Sequence, residues 1–248
     1  MKPEILFEPT PAYNNFSDDH FIPIALISVF FLWLIWMTRN AETDKNFKIA
    51  FFISLIPMVA VVSRICFTSY EGSFSIKEEL PLHLCRLIAM ILPVFIWLKD
   101  SKWINTLYFL IIVGTLQAVV TADLQYTMPH YSYFIYWIFH VSLVWTPIFI
   151  IIRLKIFPDK QDMVRAFIYG NIYMLLTMII NFSIGSNYFY TRHKPPGGSL
   201  LDLFGPWPWY ILVAEVLAVV LFMLAYLPFY KKENKPSIFW MSVIYHRW

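Results

Sequence analysis

The sequence predicts an all-α polytopic membrane protein. It has seven transmembrane helices, an outer N-terminus and a cytoplasmic C-terminus, and it sits in the cell membrane. Three observations predict this. Only 14% of the 248 residues are charged and 59% are hydrophobic, where soluble domains carry about 25% charged residues. Seven apolar runs approach the ~20 residues that a bilayer crossing takes. The lysines and arginines are divided unevenly between alternate connections, as membrane topology requires.

The runs lie at roughly 21–38, 49–69, 81–98, 103–122, 132–152, 163–184 and 208–228. Short connections join them, so residues 1–230 read as one transmembrane domain. The first run follows a polar, acidic stretch without the basic start and short apolar core of a cleaved signal. With the N-terminus outside, 13 of the 19 Lys and Arg fall on inner connections and five on outer ones. The net charge of +3 therefore reflects topology, and no nucleic acid partner is needed to explain it. The longest outer connection, 185–210, contains Pro-Pro-Gly-Gly, which must turn, and Trp207, Trp209 and Tyr210, which suit the headgroup level. Residues 231–248 form a basic, aromatic tail expected along the inner surface.

A polar group in hydrocarbon is expensive, so ionisable residues inside spans face a cavity or a partner. Here they gather toward the outer half: His83, Cys85 and Arg86 at the start of span three, Gln117 and Asp123 at the end of span four, His130 and His140 around the start of span five, Asn181 and Glu215 in spans six and seven. Asn171 and Tyr173 lie deeper. The asymmetry predicts a cavity open to the outer side. It argues against a pore, which needs polar lining throughout. Residues 208–228 hold no lysine for a retinal Schiff base, and the short inner connections lack receptor signatures.

The stretch "EELPLHLCRLIAMILP" (78–93) carries the sharpest chemistry. Pro81 suits a first helical turn, which puts His83 and Cys85 in the first two turns. The positive helix end and Arg86 favour a thiolate, a usable nucleophile. His83 points away from Cys85 in such a helix, so His140 is the expected base. Arg86 has Asp123 or Glu215 as expected ionic partners. Cys66 and Cys85 lie near outer ends of consecutive spans, which leaves a disulfide open. Two cysteines give no zinc spacing, and neither metal nor cofactor is expected. Each of these residues also has a structural reading: a buried small thiol, a hydrogen-bonded imidazole, an ion pair.

"LPLHLC" (80–85), "GTLQAVVTADL" (114–124), "MPHYSYFIYWIFH" (128–140) and "GSNYFYTRHKPPGGSLLDLFGPWPWY" (185–210) resemble the bacterial YwaF-type integral membrane family over about residues 20–230. That family is similar, more remotely, to a eukaryotic transmembrane phospholipid acyltransferase that depends on a cysteine. The resemblance implies movement of acyl chains between membrane phospholipids through a thioester. Cys85 is then the nucleophile, and His140 and His83 its catalytic companions. Arg86, Gln117, Asp123, His130, Asn181, Asn187, Tyr190, Arg192, His193, Lys194, Asp202 and Glu215 are the substrate-binding set. A non-catalytic transporter or binder of a small polar or lipid ligand would use the same residues as ligands. A structural membrane partner would use them as a hydrogen-bonded core.

Overall fold

The computed structural model describes residues 6 and 8, 10–196 and 199–230. The basic tail and the glycines at 197–198 lie outside them. The described chain is a helical bundle. Six helices are long and apolar enough to span a membrane: α1 (Asp18–Met37), α2 (Thr43–Tyr70), the composite of α4 (Ser101–Leu110) and α5 (Leu116–Val120), α6 (Tyr131–Leu154), α7 (Lys160–Ile184) and α8 (Trp209–Tyr226) with the 3-10 turn that follows. The remaining run gives α3 (Leu84–Trp97), of only 14 residues.

Local chemistry sets these boundaries. Asp159 caps α7 by accepting from the Asp162 backbone N–H, while the Asp162 side chain accepts from that of Asp159. Gly185 ends the same helix at φ 71, a left-handed conformation that a glycine adopts without a Cβ clash. His130 caps α6. Burial holds its imidazole below the usual histidine range, and its neutral Nδ1 accepts from the Ser132 backbone N–H. Between α4 and α5 the chain winds into one π turn, Ile111–Thr115.

α6 runs through the centre, packed by α1 and α2 on one side and by the π turn and α5 on another. Trp137, Leu143, Phe149 and Ile150 on α6 are almost fully buried. α7 leans on α4 and touches α8 lightly. Leu26 of α1, Ile179 of α7 and Val216 of α8 are more than 60% exposed. Such apolar exteriors suit hydrocarbon, because lipid tails replace the missing protein neighbours.

Two connections are more ordered than composition implies. The segment before α1 runs antiparallel to the α5–α6 connection through an Ala12–Tyr126 bridge. The Asn15 amide both donates to and accepts from the Ala122 backbone. Residues 71–83 do not extend α3. Pro81 lies in a turn, and the helix begins only at Leu84, with His83 as its N-cap. The expected placement of His83 within the first helical turns is thereby corrected: it stands just before the helix.

Candidate functional site

The segment before α3 descends into the bundle. The Tyr173 hydroxyl donates to Leu82 O at 2.8 Å. Tyr173 stands 11 residues before the end of α7, about 16 Å along the axis. Irregular backbone at such depth calls for internal partners for its polar groups, and several groups of this segment have them. The Tyr188 hydroxyl donates to Ile76 O and accepts from Leu80 N at 2.6 and 3.1 Å. Arg86 Nη1 donates to Glu78 O at 2.8 Å.

At the bottom of this descent sits Cys85, in the first turn of α3. No side chain caps that turn, so the N–H groups ahead of the first intrahelical bond have no capping partner. Thr115 of the π turn donates its hydroxyl to Cys85 Sγ at 3.4 Å. Gly114 makes the approach feasible, because a Cβ there would meet Leu84 Cδ2 at 3.2 Å. Both thiols are free, with Cys66 exposed and Cys85 half-buried, so the disulfide that the sequence left open is not formed.

α6 supplies the facing wall. His140 is 8% exposed, and its Nδ1 pairs with Tyr136 O at 3.0 Å. That bond fixes the ring by one nitrogen. The Tyr136 ring packs against His140, tilted by 40° with 4.1 Å between centroids. Its hydroxyl donates to Ala118 O and accepts from Asp123 N at 2.7 and 3.3 Å. His140 lies within electrostatic range of both His83 and Arg86. The roof comes from the α7–α8 connection, whose Tyr188 and Tyr190 rings contact the His83 ring at 5.3 and 5.2 Å between centroids. Tyr190 donates to Asp123 Oδ2 at 3.1 Å. Burial, with Asp123 adding to it, holds this phenol above its usual range, so Tyr190 remains a donor.

The structure thus brings together Cys85, His83, His140, Arg86, Asp123 and Tyr190. Gln117 lies half-buried on α5. Other candidates serve the scaffold. Asn181 donates to Tyr188 O and Thr191 Oγ1 and accepts from the Ser186 hydroxyl and Tyr188 N. Asn187 accepts from the backbone of Arg192 and His193. Arg192 donates to Asn181 O and Ser186 O. Lys194 donates to Asp202 O, and Asp202 joins a capping box with Ser199. His130 is the cap of α6. Glu215 accepts from Asn171 at 3.0 Å, away from Cys85.

The expected ionic partners of Arg86 are corrected. Its carboxylate is Glu79, at 3.5 Å, and neither Asp123 nor Glu215 pairs with it. Arg64 grips the same carboxylate with two bonds, 2.9 and 2.8 Å. Sequence reasoning missed Glu79, Thr115, Tyr136 and Tyr188 as parts of the site. Only Thr115, beside Gly114 in "GTLQ", carried a local signal.

Comparison with curated proteins gives no match for this chain. Comparison with solved structures gives none either. The model of the TMEM164 family matches residues 15–226, which take in every helix of the bundle and the whole polar centre around Cys85. The chain is a multi-span membrane protein and belongs to the TMEM164 family.

Proposed function

We propose that the protein is a membrane-embedded acyltransferase that moves acyl chains between phospholipids through a thioester on Cys85, as its resemblance to the YwaF-type family implies. One observation carries the reading: a non-helical segment sinks into the bundle and delivers an uncapped helix start, with a free thiol in its first turn, among His83, His140 and Tyr190. Intramembrane backbone of this kind is tolerated where it lines a site.

Cys85 Sγ attacks the ester carbonyl carbon while its proton passes to His140 Nε2. The backbone N–H groups at the start of α3 donate to the oxyanion. The C–O bond to the glycerol breaks, and the leaving alkoxide takes the proton from His140. The acceptor lipid then binds, its hydroxyl gives a proton to His140, and its oxygen attacks the thioester. The C–S bond breaks and the thiol is restored. One ester and one alcohol enter, and one of each leaves. His140 Nδ1, held by Tyr136 O, keeps the reacting nitrogen aimed. The N-terminus is assigned outside and α3 is counted as the seventh span, in keeping with the lysine and arginine distribution.

The test is lipidomics on membranes of cells expressing the wild type or Cys85→Ala at matched protein levels. The expected outcome is an acyl redistribution among phospholipids that the wild type causes and the variant does not. Identical profiles would overturn the reading. They would favour a structural membrane partner whose polar residues form a hydrogen-bonded core. That reading draws on the many candidate residues bonded within the protein itself, Asn181 and Arg192 among them.

A further inference from the structure

Glu79 is 4% exposed and faces two guanidinium groups. Arg64 takes both carboxylate oxygens in a fork, the geometry in which a carboxylate is best satisfied. Arg86 reaches the same group only at 3.5 Å. Its other protein contact is Glu78 O, a neutral acceptor. Both contacts are made by Nη1, which leaves Nε and Nη2 without an acceptor among the described residues. Glu78 itself is exposed, and water and salt screen its charge. The cluster therefore holds two positive charges against one buried negative charge.

The surplus charge is placed for use. The Arg86 side chain is 16% exposed and that of Arg64 37%, so both can be reached. Arg86 directly follows Cys85 at the open start of α3. The positive groups that sequence reasoning would assign to an anion are occupied elsewhere: Arg192 by carbonyls and Lys194 by Asp202. A permanent structural ion pair would need one arginine per carboxylate. The second one, with its free edge, fits a ligand anion.

We infer that Arg64, Glu79 and Arg86 form a binding site for the phosphate group of a phospholipid, with Arg86 donating to the phosphate and Glu79 neutralising Arg64. This rests on the acyl-transfer reading for its lipid source, since a lipid phosphate held at Arg86 brings the glycerol esters toward the neighbouring Cys85. Free phosphate offers the same oxygens, and the test separates the two.

The measurement is fluorescence anisotropy on detergent-purified full-length protein. The probes are a lysophosphatidylethanolamine with a fluorescent tail and a monoacylglycerol with the same tail. The wild type is expected to bind the phosphate-bearing probe about tenfold more tightly, the scale of one charge-assisted contact. Arg86→Gln is expected to bring that ratio close to one, and Arg86→Lys to restore part of it. Glu79→Gln releases the arginines from their carboxylate and is expected to tighten phosphate-probe binding. A merely structural ion pair would give no gain. Cys85→Ser is expected to bind as the wild type does, so a failed acyl-transfer reading leaves this result standing. Inorganic phosphate that displaces the probe at micromolar concentration would assign the site to free phosphate. Equal affinity for both probes in the wild type, or a ratio unchanged in Arg86→Gln, would overturn the inference.

Discussion

Two helix starts in this bundle are built in opposite ways. α7 begins with Asp159 and Asp162 capping each other's backbone, and Arg165 binds Asp162 at 2.6 Å. α3 begins with His83, whose side chain caps nothing, and with a turn that holds a thiol. The first arrangement spends its polar groups on the helix itself. The second keeps them available, and the fold supplies the missing support from a distance through Tyr173, Tyr188 and Thr115. A helix start left open inside a membrane protein is stable only when other elements hold it, which is why α7, the π turn and the α7–α8 connection converge on this one.

That contrast can be broken in several places. The largest effect is expected from capping α3. His83→Ser supplies a hydroxyl for its free N–H groups, and acyl transfer should fall at least about tenfold if those groups bind the oxyanion. Thermal unfolding of the same variant should change by no more than about 1 kcal/mol, since the new cap offsets lost ring contacts with Tyr188 and Tyr190. A variant that keeps full acyl-transfer activity would remove the oxyanion role. Next comes Asp159→Ala at the other helix start. It should cost about 1 kcal/mol or slightly more in detergent unfolding and leave the cellular lipid profile unchanged. Thr115→Val should slow labelling of Cys85 by a thiol reagent or acyl transfer by a fewfold at unchanged stability, because the hydroxyl that orients Sγ is gone.

The smallest effect is expected at Tyr190. Tyr190→Phe removes its bond to Asp123 and should cost about 1 kcal/mol. The folded phenol titrates above its unfolded value of about 10. Its stabilising contribution is therefore complete below that value and is lost as the pH rises further. The difference between wild type and Tyr190→Phe should stay constant from pH 6 to 9. A difference that shrinks within that window would show that the phenol is not held as a donor.

Most of the bundle was legible in the sequence because each span is a long apolar run that carries its own signal. The helices begin and end near those runs; the largest offset is at α2, which starts at Thr43 ahead of the run from 49, and at α3 Pro81 mimics a helix start that the chain places three residues later. The site was legible in part. Cys85, His83 and Arg86 stand out because polar groups in a span are costly. Their partners do not stand out, because they come from far along the chain. Tyr190 meets Asp123 across 67 residues and Tyr173 meets Leu82 across 91. Asn181 reads as a ligand in the sequence, whereas in the fold Tyr188, Thr191 and Ser186 together take up its hydrogen-bonding capacity. A single chain does not reveal which polar groups will find each other.

The short length of α3 has a consequence for the membrane around it. Fourteen residues span about 21 Å, while the hydrocarbon layer is about 30 Å thick. Trp97, 71% exposed, and Lys99 hold the far end at one interface, where aromatic and basic anchors settle. The near end then falls short of the opposite interface. A bilayer relieves such a shortfall by thinning locally. On the proposed acyl-transfer reading, with α3 as a span, such thinning would lower the glycerol esters of nearby lipids toward Cys85.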